Sequence, residues 1–260
     1  MTLRSRAGRD CAAQFPELNG LVDVLPNPAL LDGELVCFDE QGHPDFERLR
    51  GRLRARTVRS VARAQADAPA CLMIFDVMHS AGQAWRARPY RERRDLLDAL
   101  GLDGPAWRTP RVFAVDEDLV AVTRAQELEG VVAKRLDAPY QPGRRGTAWL
   151  KHKHRHREQL TVTAWRPGQR REPDEILVSR RQPDGTLRYA GGVRFGLSDT
   201  KRRQLRAALE RLEEPSRRGS STRRVRPALQ VQVDHHGRAD GPLRDPVMRE
   251  VVLAGAKVHG

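Results

Sequence analysis

Lysine is scarce in this sequence although positive charge is not. Of 47 basic side chains only five are lysines: Lys134, Lys151, Lys153, Lys201 and Lys257. Cysteine is scarcer still. Cys11, Cys37 and Cys71 are odd in number and widely spaced, which argues against a disulfide framework or a zinc site and fits a reducing compartment. No apolar run reaches the length of a membrane span, and the first residues carry no signal-peptide pattern, so a cytoplasmic protein is expected and a membrane partner is not. Acids are too few to balance the arginines, leaving a net charge of +13. Such an excess favours a polyanionic partner. Nucleic acid is preferred over a lipid surface because the arginines are spread through globular segments rather than gathered on one amphipathic helix. A GC-biased coding sequence would write the same arginine content with no partner at all. The 260 residues are enough for two modest cores.

The few lysines are not scattered. Three fall in the stretch that begins Glu129-Gly130-Val131-Val132-Ala133-Lys134 and ends Trp149-Leu150-Lys151-His152-Lys153. Side chains alternate along a strand, so Glu129 and Lys134 take opposite faces unless the strand twists or ends between them, whereas Lys151 and Lys153 share one. A carboxylate at a strand mouth beside paired ammonium groups is the chemistry needed to bind a metal-bound polyphosphate. Lysine is a compact point charge suited to a phosphate oxygen, where arginine favours planar bidentate contacts. A solvated basic strand that happens to contain lysine has the same composition.

Along the chain, Met1 to Gly8 reads as a strand entering a turn, and Phe15 to Val22 as a short helix opening at Pro16. Residues 29–38 form a strand carrying Asp32-Gly33-Glu34, with a hairpin turn at 39–42. The glycine marks either a β-bulge or the close approach of a ligand or second backbone. From Phe46 to Ala66 the pattern is helical, with Arg48, Arg50, Arg52, Arg54 and Arg56 expected largely outside, as a DNA-backbone surface or as a solvated face. Cys71 to Val77 reads as a strand buried on both faces. Helices are expected over 89–100, between Pro89 and Gly101, and over 116–128. The histidines at 152, 154 and 156 lack a second ligand set and read as part of a basic hinge rather than a metal site. Beyond them the pattern turns to β: strands at 160–165, 176–179, 187–193 and 229–234, with one helix after Ser198 and a polar link over 214–226. Short strands with one intervening helix suggest an OB-type barrel. The expected division is 1–156 and 157–260, the fold class α+β.

In order, these motifs resemble those of ATP-dependent DNA ligases, in particular the compact bacterial end-joining type. Ser5-Arg6-Ala7-Gly8 resembles that family's serine-arginine-x-glycine element, Asp32-Gly33-Glu34-Leu35 its motif III, Phe75-Asp76 its motif IIIa, Glu129 to Lys134 its motif IV, and Trp149 to Lys153 its motif V. The resemblance implies a nucleotidyltransferase (adenylation) domain with antiparallel sheets and flanking helices, followed by an OB-type barrel. It implies that Arg6, Glu34, Phe75, Lys151 and Lys153 contact ATP, with Phe75 stacking on adenine. It further implies that Glu34 and Glu129 hold Mg2+ or Mn2+, and that Lys134, Lys151 and Lys153 act catalytically on phosphate charge. Nicked double-stranded DNA is the implied partner, with end-joining proteins beside it.

Two departures concern one chemical step. The family's nucleophile is the lysine of a lysine-x-aspartate-glycine motif preceding the Ser5 element. None of the Asp-Gly pairs at 32, 103, 184 and 240 has a lysine two residues earlier. Arg238 cannot substitute, since its guanidinium offers no free amine. Gly241 to Val247 resembles the approach to motif VI, but the expected arginine-x-aspartate-lysine falls on residues 252–255 as Val-Leu-Ala-Gly. The expectation is an N-terminally truncated ligase that has lost self-adenylation. The rival readings are a non-catalytic protein that binds duplex or nicked DNA, and a capping-type or RNA-ligase nucleotidyltransferase.

Overall fold

The structure is a computed structural model that describes every residue except 115–116, 145, 169–171, 195–197, 216–220, 237–240 and 254–260. Arg238 and the last two positions of the motif VI alignment therefore lie outside the described residues. The chain divides into two compact units. One is Met1–Val122 with Val131–His152, and the other is Thr123–Gly130 with Lys153–Gly260.

The first unit is built on the antiparallel pair β1 (Ala29–Cys37) and β2 (Ala70–Ser80). A short β3 (Gln83–Ala84) folds back on the end of β2, and β4 (Trp107–Arg108) runs parallel to its start. The near-continuous apolar run predicted for the second strand is there because Ile74 and Val77 are fully buried, together with Phe15, Leu18, Cys37, Leu97 and Trp107. The predicted strand at the N-terminus is reduced to a single bridge between Arg4 and Asp10, closed by a turn at Gly8. The predicted short helix becomes a 3-10 turn at Pro16–Leu18 followed by α1 (Leu21–Val24). Tyr90–Ala99 forms α4, entered at Pro89 and left at Gly101 as expected.

The basic helical stretch is two helices, α2 (Phe46–Arg54) and α3 (Val58–Asp67), each with its own start signal. Asp45 accepts from the amides of Glu47 and Arg48, and Thr57 and Ser60 form a capping box. One expectation fails here. Arg52 is not on the solvent face but wholly buried, donating to Glu17 at 2.6 and 2.9 Å, to Ala68 O at 2.9 Å and to Gln14 O at 2.6 Å. An arginine without a partner could not be buried, and Glu17, 35 residues away, supplies the partner that local pattern cannot reveal. Arg50, Arg54 and Arg56 are exposed as expected and Arg48 is half-buried; Arg59 and Arg63 on α3 are exposed as well.

α5 (Glu117–Ala125) leads to β5 (Gly130–Lys134), which pairs with β6 (Trp149–Lys153) in a two-stranded sheet. The expected hinge at 151–157 is narrower than read: β6 ends at Lys153 and β7 (His156–Pro167) begins three residues later.

The second unit is a six-stranded sheet. Its path is β12 (Arg244–Leu253), β11 (Leu229–His236), β7, β8 (Pro173–Arg181) and β9 (Leu187–Val193), and β10 (Arg223–Arg224) adds to β7. Alternation drives it: Leu229, Val231 and Val233 are fully buried while Gln230 and Gln232 are not. α6 (Asp199–Leu212) lays Leu205 and Leu209 on this core with Trp165, Ile176 and Val178. The α+β class holds. Among the described residues the sheet does not close into a barrel: β9 and β12 share no ladder, although Leu243 N–H donates to Ala190 O at 3.1 Å just ahead of β12. β12 itself is a strand in a stretch read from sequence only as the approach to a motif.

Candidate functional site

In the first unit the site grows from an irregularity in the β1–β2 ladder. Asp32 pairs with Asp76 and Gly33 with Ile74, so Phe75 has no partner on β1 and is the bulged residue. A Cβ on Gly33 would lie 2.8 Å from Met73 O. Both sequence readings of this glycine therefore meet in one feature: a bulge, made possible by the close approach of a second backbone. The bulge leaves the Phe75 carbonyl to accept a hydrogen bond from Lys134 Nζ at 3.2 Å.

Lys134, the last residue of β5, is one of the predicted site lysines. Its ammonium lies 3.9 Å from the ring centroid of Trp149, 4.4 Å from that of Phe75 and 4.7 Å from that of Tyr90. Burial lowers its pKa from 10.5 to about 8, with Asp76 and Asp32 opposing the shift. Trp149 meets Phe75 edge-on at 5.7 Å and Tyr140 edge-on at 5.8 Å. Tyr140 in turn donates its hydroxyl to Asp32 Oδ2 at 2.6 Å; burial and that carboxylate push the phenol's pKa up. Behind Phe75, Asp76 turns to the other face of β2 and holds Arg93 through two hydrogen bonds at 2.7 and 3.0 Å.

Glu34 is exposed on β1, one residue beyond the bulge, and its side chain has no hydrogen bond or ion pair with any described residue. Arg6 is exposed in the N-terminal turn and is likewise unengaged among the described residues. Lys151 is exposed on β6, on the same strand face as Trp149.

Glu129 and Lys153 belong to the second unit. β5 begins after Glu129, at Gly130, whose φ of 151° is open to glycine. The strand thus ends between acid and lysine, one of the two conditions set by alternation. Glu129 meets Lys153 Nζ at 3.0 Å and Arg244 at 3.9 Å, while Lys153 also lies 3.7 Å from Asp245. His154 and His236 of this unit serve the fold. His154 is buried, its Nε2 2.9 Å from Thr123 Oγ1 and its carbonyl 2.7 Å from His236 Nδ1. Among the described residues no three His, Cys, Asp or Glu side chains converge as metal ligands.

Of the predicted site residues, then, Lys134 and Phe75 touch each other, as do Glu129 and Lys153. Tyr90, Tyr140, Arg93 and Arg244 were not singled out from the sequence. Tyr140 had a signal, standing at the head of the Pro-Gly turn that leads to Trp149. Arg93 had none, because its partner is 17 residues away on a different element.

Comparison with known proteins gives consistent relatives. The family model described as ATP dependent DNA ligase domain matches residues 1–153. The multifunctional non-homologous end joining DNA repair protein LigD of Mycobacterium tuberculosis is 32% identical over 244 residues, covering 89% of this chain and 30% of that protein. A probable DNA ligase of Streptomyces avermitilis is 33% identical over 239 residues, covering 88% of this chain and 46% of the relative. The chain thus spans less than half the length of these curated relatives. Among solved structures, the ligase domain of M. tuberculosis LigD aligns over 100% of this chain and 86% of its own at 30% identity, with a TM-score of 0.51. A mycobacterial DNA ligase D complexed with ATP and MES aligns over 97% and 82% at 31% identity, with a TM-score of 0.53.

Proposed function

The chain belongs to the ATP-dependent DNA ligase family, and from that premise we propose that it takes part in sealing nicks in double-stranded DNA by way of AMP on a 5′ phosphate. The observation that carries this reading is the Phe75 bulge. It leaves Phe75 unpaired on β2, while exposed Glu34 lies one residue beyond the bulge on β1, and Lys151 shares the β6 face of Trp149, the ring packed edge-on to Phe75. We assign residues 1–156 to adenylation and 157–260 to an OB-type module; the Leu243–Ala190 bond, which joins the two edges of the second sheet, favours the latter.

ATP fits the first unit because it combines the Phe75 ring with exposed Lys151 on the β6 face of Trp149. Phe75 stacks on the base, Arg6 meets the nucleotide, and Lys134 stands against the ring that does the stacking. Lys151 and Lys153 offset negative charge that grows on the phosphate oxygens as the 3′ hydroxyl displaces AMP. A divalent cation supplies charge neutralisation for those same oxygens. Mg2+ typically takes one or two carboxylates and completes its shell with phosphates and water, and exposed Glu34 of the first unit and exposed Glu129 of the second are each a carboxylate donor of that kind. Mg2+ and Mn2+ both fit oxygen donors of this kind. The exposed arginines of α2 and α3 contribute sequence-independent phosphate contacts to the duplex. Proteins of broken-end repair are the fitting partners, as the names of the LigD relatives suggest, and such work belongs in the cytoplasm, at the nucleoid. Among the described residues no helix is long and apolar enough to cross a membrane.

The test separates two steps. These 260 residues contain no lysine-x-aspartate-glycine, so the chain by itself, incubated with ATP and a divalent cation, is expected to gain no AMP by mass spectrometry. Sealing of a nick that already carries the 5′ adenylate requires no such nucleophile, and is expected in the wild type and lost in Lys151→Ala. An AMP adduct on any lysine refutes the first expectation. Failure of the folded wild type to seal the pre-adenylated nick refutes the second.

A further inference from the structure

An ammonium group in water is solvated on every side, yet the Lys134 nitrogen has exchanged that shell for aromatic faces. Three rings lie between 3.9 and 4.7 Å of it, and it donates a hydrogen bond to the carbonyl of the same residue whose ring it covers. Cation–π attraction is strongest when the cation is desolvated, and this lysine is largely withdrawn from solvent. The rings come from different elements: Phe75 from the β2 bulge, Tyr90 from the first turn of α4 and Trp149 from the start of β6. Trp149 then packs edge-on to both Phe75 and Tyr140, and Tyr140 is tied to Asp32 on β1. One nitrogen is thus the common contact of three aromatic side chains that no sheet ladder or helix would otherwise hold in register.

We propose that Lys134 is a positioning residue for a purine-stacking platform, fixing the rings of Phe75 and Trp149 relative to each other, and that it does not carry phosphate charge. The proposal rests on the nucleotide reading of the Phe75 pocket and reassigns one of the three lysines expected to act on phosphate. It follows from direction. A phosphate-binding lysine extends its charge toward solvent and ligand, as exposed Lys151 can, whereas the Lys134 charge is turned into the rings. It also explains why this position is a lysine rather than one of the many arginines: a compact ammonium touches three faces at once, while a planar guanidinium stacks on one or two.

The scarcity of lysine makes the test clean. In a chain labelled with 13C at lysine Cε, only five signals arise, and one of them is expected to be shifted upfield by ring currents and to vanish in Lys134→Arg. Binding of adenosine, AMP, ADP and ATP is then measured by calorimetry for the wild type and Lys134→Met. A platform role predicts a similar loss for all four ligands, about tenfold. A loss that grows with each added phosphate assigns Lys134 to phosphate and overturns the proposal, as does a Lys134 signal with no ring-current shift. That second readout is made on the wild type, so it decides even if Lys134→Met fails to fold. If the wild type shows the shifted signal but binds none of the four ligands, the nucleotide reading itself has failed, and the platform has no purine to serve.

Discussion

Arg93 donates two hydrogen bonds to the Asp76 carboxylate at 2.7 and 3.0 Å with neither side chain exposed to solvent. Arg93 also donates from Nη1 to Arg88 O at 2.5 Å and Ala138 O at 3.1 Å, so α4, β2 and the segment after β5 are joined at one guanidinium. Asp76 directly follows Phe75, and this anchor fixes the backbone from which the Phe75 ring projects. Removing Arg93 strands a buried carboxylate, which costs about 3–5 kcal/mol. Arg93→Ala is therefore expected to lower the denaturant midpoint by a corresponding amount, while Arg50→Ala, on the solvent face of α2, changes stability by about 0.5 kcal/mol or less. Equal effects of the two substitutions in urea titrations would contradict the anchor.

Gly33 gives a second expectation, because its Cβ position is already occupied. An alanine there would meet Met73 O at 2.8 Å and Leu72 Cδ1 at 3.0 Å. Backbone cannot rotate away as a side chain can, so Gly33→Ala is expected to push β1 from β2 and cost about 1–3 kcal/mol. Since the displaced ladder contains the Phe75 bulge, adenosine affinity is expected to fall more steeply than the melting temperature implies. Retained affinity together with lowered stability would separate the bulge from the pocket.

Much of this architecture was legible in advance, and the reason differs by element. α4 was readable because proline and glycine bracket a periodic leucine face, and the strands of the second unit because apolar and polar residues alternate under a one-sided core. The lysine cluster was legible because lysine is rare here. Arg52 was not: a helix pattern shows which positions face inward only for apolar residues, and an arginine neutralised by Glu17 from another segment breaks that rule without leaving a local mark. The facing of Lys134 was missed for a related reason. Sequence gives its position on the strand, but the rings that surround it lie at positions 75, 90 and 149 and converge only in the fold.

The Lys134 amine also predicts how stability changes in alkali. Its folded pKa is about 8 against an ordinary 10.5. Between these values the unfolded chain binds a proton that the folded chain does not, so this group makes stability rise with pH from about 8 to 10.5, by roughly 3 kcal/mol. Below that window both states are protonated and its contribution is constant. The cysteines act oppositely, since burial raises the thiol pKa of Cys11, Cys37 and Cys71 and stability falls as the unfolded thiols ionise. Comparison with Lys134→Met isolates the lysine: the wild type is expected to gain stability relative to the variant across this range in denaturant titrations. Parallel pH profiles would place the Lys134 pKa near its ordinary value.

Glu129 stands between two explanations that a metal titration can separate. Its carboxylate lies 3.0 Å from Lys153 Nζ and 3.9 Å from Arg244, an arrangement that could be no more than a surface ion pair. Such pairs are worth about 0–1 kcal/mol, so Glu129→Gln is expected to leave the melting temperature nearly unchanged. If the carboxylate also holds a divalent cation, the same substitution removes one anionic ligand and shifts the magnesium concentration for half-maximal sealing of a pre-adenylated nick upward by about tenfold. Lys153→Met is the matching control. It breaks the pair with the lysine but keeps the carboxylate, still beside Arg244, so the magnesium requirement is expected to stay level or fall while the maximal sealing rate drops. A magnesium curve unmoved by Glu129→Gln would restrict Glu129 to the ion pair and leave the metal to Glu34 and the phosphates.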